Sequence, residues 1–187
     1  MEQAKRKRAH LERVLLVCGN QNAGKSRLMR NMLGDQRLGG TVPVSGPVSL
    51  RALSRDRALA VRFSSPHEKN QSQPDFHKML DRFTERAWWS FWRVNFACAV
   101  QPRPFNKMPG IVDVCDGLIQ DFLPERIRVV QLAPDQWGGG HSALTTAEVD
   151  GLRALDVEVL SIDARRNPSH PAEPGNVRIL ADFFDFS

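Results

Sequence analysis

Short apolar runs and amphipathic segments follow one another along the chain, and together they predict an alternation of strands and helices. Runs rich in apolar and branched residues predict buried strands at 14–18, 94–100, 127–133 and 157–163. Helical spacing of apolar residues, or a capping sequence, predicts helices at 25–33, 75–92, 109–122, 145–155 and 177–184. Two further runs, 48–53 and 58–63, flank a short polar stretch and predict a β-hairpin after the first helix. The succession predicts an α/β fold with a mostly parallel central sheet and helices on both faces.

Two segments around the second predicted helix have their own signals. The polar stretch 66–74 before it predicts a mobile loop. Trp88, Trp89 and Trp92 crowd its end. Three tryptophans cannot all lie on one apolar face, so we expect at least one of them to be exposed. An exposed indole could mark a partner surface or a base-stacking platform, and packing under a neighbouring loop is the alternative.

The length and charge of the chain suggest one domain with a basic leader. A chain of 187 residues fits a single domain with one central sheet. The net charge is +5, but residues 1–10 hold four basic residues and one acidic residue, so the rest carries only +2. We predict that 1–12 is a basic, disordered leader and that 13–187 is the domain. The leader could contact nucleic acid or an acidic partner, although a solvated leader is the commoner explanation.

The apolar content and the cysteines predict a soluble, cytoplasmic protein. Only five apolar residues follow the basic cluster before polar residues resume, whereas a secretory signal needs about 7–15. No run approaches the roughly 20 apolar residues of a membrane span. Cys18, Cys98 and Cys115 lack metal-ligand spacing and lie in apolar segments, so we expect buried free thiols.

The strongest motif directly follows the first predicted strand. Residues 19–26 complete the phosphate-binding pattern G-x-x-x-x-G-K-[ST]. Its glycines let the backbone N–H groups face phosphate oxygens, its lysine reaches the β- and γ-phosphates, and its hydroxyl ligates Mg²⁺. A helix follows, with Gly34 as its predicted cap, although a strand-to-helix turn that binds nothing is the alternative. The candidate nucleotide-binding residues are Gly19, Asn20, Gln21, Asn22, Ala23, Gly24, Lys25, Ser26 and Arg27.

Over residues 13–34 the chain resembles the P-loop NTPase superfamily. The resemblance implies a three-layer α/β fold, a bound nucleoside triphosphate with Mg²⁺, and phosphoryl chemistry or a nucleotide-dependent switch. The hairpin after the first helix is similar to that of the small GTPase-like branch, in which a threonine in the preceding loop closes on Mg²⁺. Thr41 occupies that position, so Ser26 and Thr41 are candidate metal ligands, and a plain solvent-facing threonine is the alternative for Thr41.

The chain departs from this superfamily in its second acidic residue. The resemblance implies an aspartate at the end of an apolar strand that holds Mg²⁺ through water, but Phe63 is followed by Ser-Ser-Pro. Glu68 is our first choice for that role, and Asp163, at the end of the last predicted strand, is the second. This departure leaves open whether bound nucleotide is hydrolysed efficiently.

Loops that follow the strands should supply the remaining chemistry, because ligands of open α/β sheets bind beyond the carboxyl ends of the strands. Arg165 and Arg166 are the preferred candidates for neutralising a transferring γ-phosphoryl group, since arginine donates bidentately to its oxygens. An ordinary polar loop is the alternative. The candidate catalytic residues are thus Lys25, Glu68, Arg165 and Arg166, and we expect Lys25 to project into solvent rather than into the core.

Three functions remain open from the sequence. The first is an NTPase or nucleotide-dependent switch, with a possible protein partner. ATP is favoured over GTP, because residues 106–109 carry only the first two residues of the guanine-specific N-K-x-D motif. The second is a kinase for a nucleotide or other small molecule. The third is a non-hydrolysing nucleotide-binding module of an assembly, possibly with nucleic acid.

Overall fold

The structure is a computed structural model, and it describes residues 7–44, 46, 48–139, 143–166 and 173–185. Its strands are β1 (His10–Cys18), β2 (Val48–Ala52), β3 (Arg57–Arg62), β4 (Arg93–Val100), β5 (Arg126–Leu132) and β6 (Glu158–Ile162). Its helices are α1 (Lys25–Met32), α2 (Gln73–Ala87), α3 (Ile111–Phe122), α4 (Thr146–Ala154) and α5 (Glu173–Asp182), with a short 3₁₀ helix at Gln36–Leu38.

The strands form one sheet in the order β2-β3-β4-β1-β5-β6. The β2–β3 pair is antiparallel and the other neighbours are parallel, which confirms the predicted hairpin and the mostly parallel sheet. The first strand of the chain lies inside the sheet, so the residues that follow it emerge between the ends of β4 and β5. This central position explains the continuous apolar run of β1, which is buried on both faces.

Helices cover both faces of the sheet and give three layers, as predicted. On one face, Val14 and Leu16 of β1 pack in a core with apolar residues of α2, α3 and α4. On the other face, Leu15 and Val17 pack with residues of α1 and α5. The alternation of side chains along a strand thus divides β1 between two cores.

Local sequence signals set most of the helix ends. Ser72 and Thr145 cap α2 and α4 through reciprocal capping boxes with Asp75 and Glu148, and the second of these was predicted. The prediction that Gly34 caps α1 is wrong, because Leu33 is the cap and has right-handed backbone angles.

The prediction that the second helix runs to Trp92 is also wrong. Helix α2 ends at Ala87, and the N–H groups of Trp92 and Arg93 both bond to the carbonyl of Asp56 beside the hairpin. The chain must leave the helix early so that β4 can pair in the sheet. Trp89 and Trp92 are 86% and 67% exposed, which confirms that at least one tryptophan of this group faces solvent.

The fold begins inside the stretch assigned to the leader. Ala9 and Leu11 are buried, and β1 starts at His10 rather than near residue 13. The Arg8 guanidinium bonds to the Asp81 carboxylate, so part of the basic cluster is tied to α2. Lys7 is exposed, and residues 1–6, with Lys5 and Arg6 of that cluster, lie outside the described residues.

A charged cluster fixes the amino end of β1, opposite the end from which the 19–26 segment emerges. The Glu12 carboxylate is buried and accepts hydrogen bonds from Arg93, Arg57 and Asn95. Burial raises the pKa of Glu12, but the hydrogen bonds from the two arginines outweigh it, and the pKa lies below its ordinary value of 4.5. The cluster joins three neighbouring strands, because its members come from β1, β3 and β4.

Two composition-based expectations can be compared with the fold. Within the described residues, no helix is long and apolar enough to cross a bilayer. Cys18, Cys98 and Cys115 are buried free thiols, as predicted. Burial raises the pKa of Cys18 and of Cys98 to about 12 and that of Cys115 further.

Candidate functional site

The 19–26 loop lies at the carboxyl edge of the sheet, as the topology rule predicted. The N–H of Gly19 donates to the carbonyl of Val100 at the end of β4, at 3.3 Å. A Cβ placed on Gly19 would lie 3.6 Å from the Cβ of Leu132 at the end of β5. The loop is therefore held between the ends of two strands, and the turns that follow β3, β4 and β5 lie around it.

The backbone of the loop turns through two left-handed residues. Asn22 has φ 62° and Gly24 has φ 100°. Gly24 is also the N-cap of α1 and makes no side-chain capping bond. The N-terminus of a helix carries positive partial charge and N–H groups that favour an anion. Glycine is required at position 24, because a Cβ there would lie 3.2 Å from the Cβ of Gln136 and the φ is unfavourable for other residues.

Lys25 folds back over the loop, and the prediction that it projects into solvent is wrong. Its side chain is only 5% exposed, and Nζ donates to the carbonyls of Gly19 at 2.9 Å and Asn20 at 2.7 Å. Burial lowers the pKa of Lys25, while the nearby Glu68 carboxylate opposes that shift. The loop carbonyls thus hold an ammonium group against the turn where the motif would place phosphate.

Ser26 connects the loop to the end of β3. Its Oγ donates to the carbonyl of Phe63 at 2.7 Å. A hydroxyl has one donor and two acceptor lone pairs, so this bond uses the proton and leaves the lone pairs available to a cation. The orientation of the side chain is fixed by the protein itself.

Glu68 lies beside Lys25. The sequence named both residues as candidates, but it could not show that they are close to each other. The distance from Lys25 Nζ to Glu68 Oε1 is 3.8 Å, and the amide of Gln101 donates to the same oxygen at 3.5 Å. The Glu68 side chain is 32% exposed, so solvent reaches it. An ammonium, a carboxylate and an amide therefore meet at the mouth of the loop.

Buried hydrogen bonds anchor the turn that carries Glu68, at the start of the stretch 66–74 that was predicted to be a mobile loop. His67 is fully buried, and its Nε2 lies 2.9 Å from the carbonyl of Pro109. Since that carbonyl can only accept, Nε2 carries the proton and Nδ1 accepts from the Ser65 hydroxyl at 3.2 Å. Burial also lowers the pKa of His67, which favours this neutral ring. Asn106 closes the turn by donating to the carbonyl of His67 at 2.7 Å.

Gln136 supports the other side of the loop, and sequence reasoning gave it no role there. Its Nε2 donates to the carbonyl of Asn22 at 2.6 Å, and its backbone N–H donates to the carbonyl of Ala23 at 3.2 Å. The next residue, Trp137, is 71% exposed. The only sequence signal was the position of Gln136 directly after β5, in a loop expected at this edge.

The three candidates after β6 are Asp163, Arg165 and Arg166, and the first two of them are engaged with each other. The Asp163 carboxylate accepts from Arg165 Nε at 2.9 Å and from Nη2 at 2.5 Å. Hydrogen bonds from Arg165 lower the pKa of Asp163. The N–H of Arg166 donates to the carbonyl of Gln136. Among the described residues, no hydrogen bond or ion pair joins Asp163 or Arg165 to Lys25 or Ser26, so the structure does not assemble Asp163 with the predicted metal ligand.

Arg27 and Thr41 differ in how they relate to the loop. Arg27 Nη2 donates to the carbonyl of Ala164, which ties the first turn of α1 to the segment after β6. In this conformation Thr41 does not lie beside Ser26, its predicted partner as a metal ligand. The N–H of Thr41 bonds to the carbonyl of Leu33 at the end of α1, whereas Ser26 is in the first turn. About seven residues of helix separate the two, or about 10 Å.

A preformed all-protein metal cage is not part of this site. In the part of the chain that the structure describes, no group of three or more His, Cys, Asp or Glu residues could hold a metal ion. A Mg²⁺ site needs only one or two protein oxygens beside phosphate and water, so Ser26 and Glu68 are the oxygens to consider here.

The chain was also compared with known proteins. Searches of protein-family models, curated proteins and solved structures found no match. The assignment of this site therefore rests on its geometry and on the sequence motif at 19–26.

Proposed function

We propose that the chain binds a nucleoside triphosphate with Mg²⁺ at the 19–26 loop and acts as an NTPase or a nucleotide-dependent switch. The observation that supports this most directly is the placement of Lys25. Its ammonium is held by two loop carbonyls and lies 3.8 Å from the Glu68 carboxylate, which belongs to a different strand connection. Folding brings this cation and this carboxylate together at the motif. Such a pair is suited to phosphoryl chemistry, which needs a positive charge for the phosphate oxygens and a group that orients the nucleophile.

Each group at the loop has a chemical task in this proposal. The N–H groups at the start of α1 and the ammonium of Lys25 would bind the phosphate oxygens. Bound Mg²⁺ would neutralise charge on the phosphates, and the Ser26 hydroxyl, whose proton is directed at Phe63, would be its protein ligand. Glu68 is partly exposed and would orient a water molecule near the phosphates or in the metal's shell.

The base and the cellular location stay proposals from the sequence. The incomplete N-K-x-D motif favours ATP over GTP. We propose a cytoplasmic location. Arg166 stays a candidate for the charge of a γ-phosphoryl group, because its backbone is tied to Gln136 beside the loop. Arg165 would first have to leave Asp163.

A titration of the purified protein with ATP and with GTP, each with Mg²⁺, tests the proposal. Thermal stability and phosphate release are recorded together for the natural protein, for Lys25→Ala, and for Lys78→Ala as a control at an exposed site on α2. At a nucleotide concentration of 100 times Kd we expect stabilisation by about 2.7 kcal/mol, or roughly 5–10 °C. Lys25→Ala should lose it and Lys78→Ala should keep it.

The form of turnover decides between the three functions. Phosphate release without an added acceptor supports the NTPase. ADP formation that depends on an acceptor identifies a kinase, and tight binding without turnover identifies a non-hydrolysing module. If neither nucleotide stabilises the natural protein, the 19–26 loop is a structural turn and the proposal is wrong.

A further inference from the structure

A cavity opens near the 19–26 loop, at the carboxyl end of β3, and residues of both α1 and α2 line it. Its volume is about 340 Å³. Three cationic and three apolar side chains contribute to its wall, namely Arg30, Arg62, Lys69, Phe63, Met79 and Phe83. Only Phe63 is shared with the nucleotide site described above, through the carbonyl that accepts from Ser26.

The three cations of this cavity are Arg30, Arg62 and Lys69. Within the described ranges, none of the three forms an ion pair with a carboxylate. Arg62 bonds to neutral acceptors, the carbonyl of Ser64 at 2.9 Å and the side chain of Gln71 at 2.5 Å. Three positive charges around one opening are therefore not neutralised by the described part of the protein, and such an arrangement attracts an anion.

Arg30 gives the most specific signal in the cavity. Its guanidinium carbon lies 5.2 Å from the centre of the Phe63 ring, in a cation–π arrangement. Its Nε is buried and has no hydrogen-bond partner. No described carboxylate neutralises this guanidinium, so an anion bound in the cavity would supply the opposite charge.

The apolar wall restricts the class of ligand. A bare inorganic ion would leave Phe63, Met79 and Phe83 without contact, whereas an anion with an aromatic or aliphatic body would cover them. Arginine donates bidentately to carboxylate and to phosphate. We propose that this cavity binds a small organic anion, a carboxylate or a phosphate on an apolar body.

The position of the cavity relates the second ligand to the 19–26 loop. Arg30 is one helical turn after Ser26 on α1, so the two side chains share a face. The carbonyl that accepts from Ser26 belongs to Phe63, whose ring contributes to the cavity. The anion would therefore lie next to the nucleotide loop, but its binding does not require nucleotide.

Phenyl phosphate is a suitable probe, since it combines a phosphate with an apolar ring. Its binding is measured by saturation-transfer NMR titration, with phenol as the neutral counterpart. From the size of the probe we expect a Kd of about 1 mM or tighter, and phenol should bind at least about tenfold more weakly. Arg30→Met and Lys69→Met should each weaken the binding of phenyl phosphate, the first by about tenfold or more.

Two matched variants separate this cavity from other anion sites. Lys25→Met removes the cation of the 19–26 loop, and Arg153→Met removes an exposed cation on α4. Arg153→Met should bind phenyl phosphate as the natural protein does, and Lys25→Met should keep the binding that Lys69→Met weakens. Lys69→Met changes an exposed residue, so it tests the cavity even if Arg30→Met does not fold.

The proposal is overturned by any of four results. These are the absence of binding to the natural protein, binding of phenol equal to that of phenyl phosphate, unchanged affinity in Lys69→Met, or loss of binding in Lys25→Met. The last result would place the anion at the nucleotide loop. Failure of ATP to bind in the earlier titration would leave this proposal standing.

Discussion

Replacement of Ser26 by alanine separates what the structure shows from what we propose. In the protein without nucleotide, the mutation removes the hydrogen bond from Oγ to the carbonyl of Phe63, which is 2.7 Å long. One neutral hydrogen bond contributes a net 0.5–1.5 kcal/mol, so we expect stability to fall by about 1 kcal/mol. For a domain of this size that corresponds to a decrease in Tm of roughly 2–4 °C.

The same mutation should act differently on nucleotide binding. Ser26 is the proposed protein ligand of Mg²⁺, and loss of outer-shell partners of a metal already costs about 10–100-fold in affinity. We therefore expect MgATP to bind at least about tenfold more weakly to Ser26→Ala. ATP in the presence of EDTA should bind equally to both proteins, because the loop N–H groups and Lys25 are unchanged.

Calorimetry provides both measurements. Scanning calorimetry without nucleotide gives the change in Tm, and isothermal titration with Mg²⁺ or EDTA gives the two affinities. Ser90→Ala is the matched control, since Ser90 is exposed and follows α2. Ser26→Thr keeps the hydroxyl and should restore Mg²⁺ dependence.

The effect of Ser26→Ala on stability and its effect on Mg²⁺ dependence are independent of each other. A Tm equal to that of Ser90→Ala would show that the bond to Phe63 contributes nothing to stability. An unchanged preference for MgATP over metal-free ATP would refute the role of Ser26 as a metal ligand, whatever happens to the Tm.

Three further predictions follow from other parts of the fold. Glu12→Gln should lower stability by about 2–4 kcal/mol at pH 7, because it leaves two arginines without their buried carboxylate partner. The pKa of Glu12 lies below 4.5 in the fold, so this contribution to stability is present above pH 4.5 and is lost as the pH falls. In urea unfolding, the difference in stability between the natural protein and Glu12→Gln should therefore be smaller at pH 3.5 than at pH 7. Gly24→Ala should cost about 1–3 kcal/mol in the same assay, because alanine must adopt φ 100° against Gln136. Burial raises the pKa of Cys98 from its ordinary value of 9.0 to about 12, so at pH 8 the native protein should hold about a thousandfold less Cys98 thiolate than the urea-unfolded protein. The native protein should therefore react far more slowly with an aromatic disulfide. Fast labelling of the native protein at this residue would contradict its buried position.

The fold could be predicted well because its signals are local. The strands β1, β4 and β5 lie inside the sheet, and most of their residues are buried, so each carries a marked apolar stretch in the sequence, such as 14–18 in β1 and 96–100 in β4. The capping box at Thr145 located the start of α4, since both of its residues lie within one turn. The end of α2 could not be predicted, because the bonds that end it come from Asp56, more than thirty residues earlier in the chain.

The candidate site was predictable only in part, for a related reason. The motif identified the 19–26 loop, since its residues are contiguous. The distance of 3.8 Å between Lys25 and Glu68 depends on a turn that is held by the buried His67 and by Asn106 from another loop. Thr41 had a suitable sequence position but lies at the opposite end of α1. Sequence spacing cannot distinguish these two outcomes, because tertiary contacts determine both.

Trp137 gives the chain an optical reporter beside the 19–26 loop. Its exposed indole follows Gln136, which bonds to the loop at Asn22 and Ala23. Any rearrangement of the loop should move this fluorophore, and a change in its emission could follow nucleotide binding in real time without a label. The other tryptophans, Trp88, Trp89 and Trp92, precede β4 and so lie at the opposite edge of the sheet. Replacement of Trp137 by phenylalanine should therefore leave a constant background of emission and abolish the signal.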